Sequence, residues 1–171
     1  VEEHGEAIIN DISGGETDKT MFPMTSRLTV PNILMHMRGT PQTRSTLTDY
    51  DNLIQDIFYY FSKRIAELHQ LGVNDIIVDP GFGFSKTMDQ NYELMASLRG
   101  FSIFEKPLLV GISRKRMISN LLGTDFSENL NGTTVLNTFA LQNGADILRV
   151  HDVKEAVEAV KIVEKLREYQ F

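Results

Sequence analysis

The sequence predicts an α/β fold built on a parallel sheet, and three observations carry that prediction. Short apolar runs alternate with longer amphipathic ones along the whole chain, the pattern that strand–helix–strand crossovers require. Several of the short runs are continuously apolar, as strands covered on both faces are. Each short run also ends in polar residues on its carboxyl side, where parallel α/β proteins assemble their sites.

The elements follow in order. A first strand is expected over 7–11, where Ala7-Ile8-Ile9 runs into Asn10-Asp11. A helix over 18–28 comes next, with Pro23 a breaker in its path. The second strand covers 32–36 and ends at His36. Residues 48–71 form the strongest helix, because Leu53, Ile54, Ile57, Phe58, Phe61, Ile65 and Leu68 keep one apolar face, and Gly72 stops it. The third strand, 75–79, stops at Asp79. A shorter helix is expected over 89–98 and a fourth strand over 107–112. Ser113 is then a natural N-cap for a basic helix over 114–122 that ends at Gly123. A helix over 129–143, a strand over 146–150 and a helix over 153–168 complete the chain. The last helix opens on Asp152-x-x-Glu155, a start resembling a capping box. Five βα units do not close an eight-stranded barrel, which takes about 250 residues. An open doubly wound sheet and a partial barrel both remain. No Gly-x-Gly-x-x-Gly follows the first strand, which weakens the dinucleotide-binding reading.

Composition sets the class. The 171 residues suit one domain, 1–171, and 42% hydrophobic with 23% charged residues reads as soluble and globular. No apolar run reaches the roughly 18–20 residues of a membrane span. Residues 1–6 are polar and acidic rather than signal-like. The absence of Cys excludes disulfides and thiolate-held metal and fits a reducing cytoplasm. A net charge of −6 argues against a nucleic-acid partner. Yet Lys86, Arg114, Lys115, Arg116, Arg149 and His151 all fall at strand ends. If those ends converge, an acidic protein has a basic mouth suited to a small anionic substrate. The chain starts at Val1 without Met, directly before an apolar run, and is expected to be processed or part of something longer.

The run Ile76-Ile77-Val78-Asp79-Pro80-Gly81-Phe82-Gly83-Phe84-Ser85-Lys86 is the most informative. A strand stops at a carboxylate and a Gly-rich loop with two Phe follows. Such aromatics cover a ligand, or else they pack into the core around an ordinary Asp-Pro turn. Arg149 and His151, two residues apart, fall on one side of a strand and suit a phosphate or pyrophosphate. Three cations after Ser113 would crowd the positive end of a helix unless an anion sits there. His36, between apolar neighbours, reads as a satisfied core residue, and Met35 as a pocket wall. No HExxH, EF-hand loop or Gly-x-Ser-x-Gly elbow is present. Asp79 and Asn10 belong together. A buried carboxylate accepts two ring N–H groups, and an amide both gives and accepts, which suits a pterin or a guanine-like base.

Five stretches in order resemble the dihydropteroate synthase family. They are Ile8–Gly15, Leu34–Pro41, Asp79–Lys86, Val110–Lys115 and Leu148–Asp152. The resemblance implies a TIM (β/α)8 barrel, here its C-terminal five βα units, strands four to eight. It implies folate biosynthesis: 6-hydroxymethyl-7,8-dihydropterin pyrophosphate condenses with p-aminobenzoate to give 7,8-dihydropteroate and pyrophosphate. By the same resemblance, Asn10 and Asp79 hold the pterin edge and Lys115 reaches its carbonyl side. Met35, Leu109, Gly111, Gly83 and Phe84 line the pocket. Arg149 lies over the ring and, with His151, meets the pyrophosphate, so Lys115, Arg149 and His151 are the catalytic candidates. Ser113 and the Phe84 loop border the p-aminobenzoate site, where sulfonamides compete in this family. A Mg2+ ion is implied, with its main ligand in the absent N-terminal strands and none in this chain. A homodimeric parent is implied too, and a chain that is inactive alone. The pterin-binding domain of a folate–corrinoid methyltransferase, or a non-catalytic pterin-binding fragment, are the alternatives.

Overall fold

The computed structural model describes residues 5–40, 43 and 46–169. The start at Val1 and the Pro41 of the second matched stretch lie outside them. Five strands appear in the expected places: β1 Ile9–Asp11, β2 Asn32–Met35, β3 Ile76–Asp79, β4 Leu109–Val110 and β5 Ile147–Leu148. All pair in parallel, β1 with β2, β2 with β3 and β4 with β5, and a parallel bridge from Val78 to Leu108 joins the two groups. The spatial order is therefore the chain order. A doubly wound sheet reverses direction at a switch point and a barrel does not. The sequential order resolves that choice for the arc of a TIM barrel.

Helices α1 Met21–Leu28, α2 Leu53–Gln70, α3 Met88–Ala96, α4 Arg116–Leu122, α5 Leu130–Gln142 and α6 Val153–Arg167 lie between and after the strands. Pro23 does not break α1, because it falls in the first turn, where backbone N–H groups have no helical partner. Helix α2 begins with its apolar stripe at Leu53 rather than at residue 48, since the Asn52 side chain accepts from the Gln55 N–H and caps it. Its Leu53, Ile57, Phe61, Ile65 and Leu68 are buried at spacings of three and four. Phe61 and Phe58 meet Phe101 and Phe104 of a 3-10 turn, Leu98–Phe104, largely edge to face. This turn takes up the C-terminal end of the helix expected over 89–98. Helix α3 instead has a full capping box between Thr87 and Gln90.

Register decides which side chains face the chemistry. Asn10 is level with Ile33 and Ile77, and Met35 with Asp79. Side chains alternate along a strand. One face of the sheet thus carries Asn10, Ile33, Met35, Ile77 and Asp79, while Asp11, Leu34 and Val78 point the other way. The outward set joins the core against the helices: Leu34, Ile76, Val78, Leu108 and Val110 pack with Leu53, Ile57 and Phe61. Leu109 shares the parity of the inner set.

Candidate active site

The carboxyl ends of β2 and β3 are stitched together by short polar contacts. Asp79 is 1% exposed. Its Oδ1 accepts from the Gly81 N–H at 2.9 Å and its Oδ2 from Arg149 Nη2 at 2.9 Å. Burial raises the Asp79 pKa, opposed by the Arg149 charge, the Gly81 N–H, and the Lys115 and Lys86 charges. The result is a strand-terminal carboxylate that is short of solvent yet faced by cations. Arg149, with its side chain 42% exposed, is the more solvated partner of that pair.

The Gly-rich loop treats its two aromatics differently. Phe82 is 1% exposed and belongs to the core. Phe84 is half-buried, and Lys115 Nζ lies 4.7 Å from its ring centroid. Gly83 is exposed and sits beside Lys115, and its N–H donates to the Asn91 side chain at 2.7 Å. Gly81 has φ +72 and lies against the His36 carbonyl, where a Cβ would fall well inside van der Waals contact. Gly111 is less constrained: a Cβ there would meet the Arg149 guanidinium at 2.9 Å, the mobile end of a long side chain. A hollow of about 590 Å3 opens beside the loop, lined in part by Gly83, Ser85, Lys86, Arg114, Lys115 and Arg116. A second of about 630 Å3 lies at the opposite ends of the strands, around Pro107, Leu108 and Asp146. Chemistry in this fold sits at the carboxyl ends, the side of the first hollow, which Lys115 and Gly83 border but Asp79, Asn10 and Arg149 do not line.

The remaining expected residues take their places unevenly. Asn10 is exposed on the inner face of β1, two strands from Asp79 and two residues lower, so about 10 Å across the sheet. Met35 and Leu109 are buried on the same face. His151 is exposed, and its Nδ1 lies 3.0 Å from Ser113 Oγ, which also accepts from the His151 N–H at 3.1 Å. Asn10, Asp79, Lys115, Arg149 and the Ser113–His151 couple thus gather around the strand ends.

Four sequence expectations need correcting. Ser113 is not a helix cap: α4 starts at Arg116 with Lys115 as its N-cap residue and no side-chain cap. Arg114 adopts a left-handed backbone, φ 54, which delays the helix, and Ser113 is taken by His151. Asp152 makes no capping bond to α6, because both its oxygens are held by Arg114 at 2.8 and 3.0 Å. Arg149 and His151 lie beyond β5, which ends at Leu148, so strand alternation does not place them on one side; Arg149 faces Asp79 and His151 faces Ser113. Lys86 borders the hollow but is buried beneath the loop, its amine turned to loop carbonyls and His36.

Lys86 and His36 form a contact that sequence reasoning missed. Lys86 Nζ lies 3.0 Å from His36 Nδ1, 3.1 Å from the Gly81 carbonyl and 3.0 Å from the Phe84 carbonyl. Burial brings the Lys86 pKa down to about 7, against the pull of Asp79. His36 is held well below its ordinary value by burial and by the charges of Lys86 and Arg38. Asp11 was also missed. It organises the turn after β1 by accepting from the Ser13 N–H and hydroxyl and from the Gly15 N–H at 2.6 to 2.9 Å. The Asp-x-Ser-Gly-Gly spacing carried that signal.

Residues 1–151 match the model of a family described as pterin binding enzymes. The chain is 42% identical over 162 residues to the dihydropteroate synthase of Escherichia coli strain K12, covering 94% of this chain and 57% of that protein. The dihydropteroate synthase of Yersinia pestis, solved with a sulfonamide drug, superposes with a TM-score of 0.93 at 38% identity, covering 99% of this chain and 62% of that one. The Thermus thermophilus enzyme, solved with 4-aminobenzoate, gives 0.88 at 32% identity over 93% of this chain and 62% of that one. The chain therefore spans somewhat more than half the length of these relatives.

Proposed function

Because this chain belongs to the pterin-binding enzyme family, we propose that it supplies the pterin-holding floor of a dihydropteroate synthase. The single observation that carries this reading is Asp79, a buried carboxylate at a strand end, level with Met35 and faced by Arg149. Each of its oxygens uses one lone pair on Gly81 or Arg149 and keeps another for an incoming donor. The amino-pyrimidinone edge of a pterin offers two adjacent N–H groups to such a carboxylate. Asn10, about 10 Å across the sheet, takes a more distant part of the ring system. Leu109 and Met35 supply the apolar surface beneath it.

The reaction asks little acid–base work of the protein. The aniline nitrogen of p-aminobenzoate attacks the CH2 carbon of 6-hydroxymethyl-7,8-dihydropterin pyrophosphate. The C–O bond breaks, its electron pair leaves on the pyrophosphate oxygen, and the new ammonium releases a proton to solvent. Charge therefore develops on pyrophosphate, where fixed cations lower the barrier. Arg149 can swing from Asp79 toward the pyrophosphate, and the Ser113 hydroxyl holds His151 beside it. Lys115 takes the pterin carbonyl side. Phe84 gives p-aminobenzoate, or a sulfonamide in its place, a flat wall.

A Mg2+ ion is part of the family expectation. Mg2+ takes one or two protein carboxylates beside substrate phosphates. By the family resemblance its main ligand belongs with the barrel's remaining strands, in the same proposal. So does turnover: the 171 residues bind pterin pyrophosphate, and condensation needs the barrel's remaining strands. A homodimer and a cytoplasmic location complete the reading. Titration calorimetry with the dihydropterin pyrophosphate, beside an assay for dihydropteroate, tests it. Binding without turnover by the chain supports the proposal, and absence of pterin binding overturns it. Methyl transfer from a methylfolate to a corrinoid would overturn it in favour of the methyltransferase alternative.

A further inference from the structure

The best-organised polar cluster outside the ligand-facing set lies under the floor. Lys86 enters from the far end of the Gly-rich loop, and its amine nitrogen meets three acceptors at 3.0 to 3.1 Å: the Gly81 carbonyl, the Phe84 carbonyl and His36 Nδ1. The first two belong to the loop that carries the Asp79 turn and Phe84, and the third to the exit of β2. The neighbouring residue continues the join. Ser85 Oγ accepts from the Arg38 N–H at 3.0 Å and donates to the Arg38 carbonyl at 2.9 Å, and the Tyr50 hydroxyl donates to the Ser85 carbonyl at 2.9 Å. Ser85 is held at φ 51, a left-handed backbone that is unfavourable for a residue with a Cβ. A loop does not rest there without being held.

We propose that Lys86 is a positioning residue for the pterin site, clamping the 80–86 loop from below, and that the His36 imidazole changes tautomer so that the clamp survives loss of the Lys86 proton. Resting on the pterin-site reading, the proposal adds how that site is kept in shape. As an ammonium, Lys86 donates three hydrogen bonds, to two carbonyls and the bare Nδ1 of His36. As an amine it has two N–H groups and a lone pair. The carbonyl bonds persist, and His36 with its proton on Nδ1 now donates to the amine. On its Nδ1 side a neutral imidazole keeps its partner in either arrangement, and a residue without this option would forfeit one contact. The charged groups acting on Lys86 are Asp79 at the end of β3, Arg38 after β2 and Lys115 before α4. Asp79 favours the ammonium, Arg38 and Lys115 the amine, and burial brings the change close to neutral pH.

The test uses the unaltered chain first. Lysine labelled at Cε and histidine labelled at both ring nitrogens are followed by NMR from about pH 5.5 to 9, a span that brackets neutrality. The proposal expects a lysine titrating near pH 7, assigned to Lys86 by its loss in Lys86→Met. At the same midpoint the His36 Nδ1 resonance moves from the bare-nitrogen to the N–H position. A His36 tautomer that stays fixed while Lys86 titrates, or a Lys86 that stays charged up to about pH 9, as an ordinary lysine does, overturns the proposal. Lys86→Met is then expected to bind a dihydropterin about 10-fold more weakly or worse, with Asp79 intact, while unaltered affinity in a folded Lys86→Met chain overturns it. If the unaltered chain binds no pterin, the functional reading fails, and the NMR signature still decides the fate of the clamp.

Discussion

Asp79→Asn separates stability from binding. The substitution keeps shape and removes a charge that is 1% exposed and whose pKa burial raises. A carboxyl whose folded pKa lies above its unfolded value contributes stability below the unfolded value, and that contribution is lost as pH rises through the folded one. Ionising Asp79 in the folded wild type therefore carries a net cost, despite Arg149. Asn removes that cost, and the freed Arg149, 42% exposed, turns to water. The variant is expected to be the more stable of the two at about pH 7.5, well above the ordinary carboxylate range. A gain of about 1 kcal/mol would raise the melting temperature of a domain this size by about 2–4 °C. The gap should close as pH falls toward the ordinary carboxylate range. Pterin binding moves the other way. Two hydrogen bonds to a charged acceptor are worth about 1.5–3 kcal/mol each, and an amide NH2 opposes one ring donor. A loss of about 3 kcal/mol corresponds to an affinity drop of about 100-fold or more. Calorimetric melting at several pH values, with pterin titration on the same samples, measures both. An Asn variant that is less stable than wild type at that neutral-to-basic pH, or that binds pterin as well as wild type, would refute the reasoning.

Three further outcomes are expected. Gly81→Ala adds a Cβ against the His36 carbonyl at φ +72, so urea denaturation should show a loss of about 2 kcal/mol or more. The same change at Gly144, with φ +100 and open space around it, should cost less. Ser113→Ala frees His151 from its hydroxyl partner; affinity for pterin pyrophosphate should fall several-fold, while affinity for the pyrophosphate-free pterin alcohol stays level. Phe84→Ala removes the face that Lys115 covers, and competition titrations should show weaker sulfonamide binding with pterin affinity held within about 2-fold.

The strands were legible because buried parallel strands are short apolar runs, and Asp79 because a carboxylate at the end of such a run is conspicuous. Their pairing is narrower than the apolar runs. Residues 146–150 read as a strand, but only Ile147 and Leu148 pair with β4, since a ladder ends where its neighbour ends. The caps failed for a tertiary reason. Asp152 looks like a cap to its own helix, yet Arg114, 38 residues earlier, holds both its oxygens. Ser113 looks like the start of α4, yet a left-handed Arg114 and the reach of His151 claim it first. Lys86 reads as solvent-facing because a lysine almost always is; its three partners come from 2, 5 and 50 residues away, and two are backbone carbonyls. Side-chain identity alone does not reveal such a site. Phe82 and Phe84 show the same limit in miniature: two residues apart in one loop, one fills the core and the other is half-buried with Lys115 over its ring.

The central claim is that the inner face at the strand ends holds a pterin by Asp79 and Asn10. A crystal structure of the chain with 6-hydroxymethyl-7,8-dihydropterin pyrophosphate tests it most directly. The account predicts the amino-pyrimidinone edge within hydrogen-bond distance of both Asp79 oxygens, Asn10 on the same ring system, and Arg149 turned toward the pyrophosphate. A pterin seated elsewhere, with the Asp79–Arg149 pair closed as it is now, would contradict it.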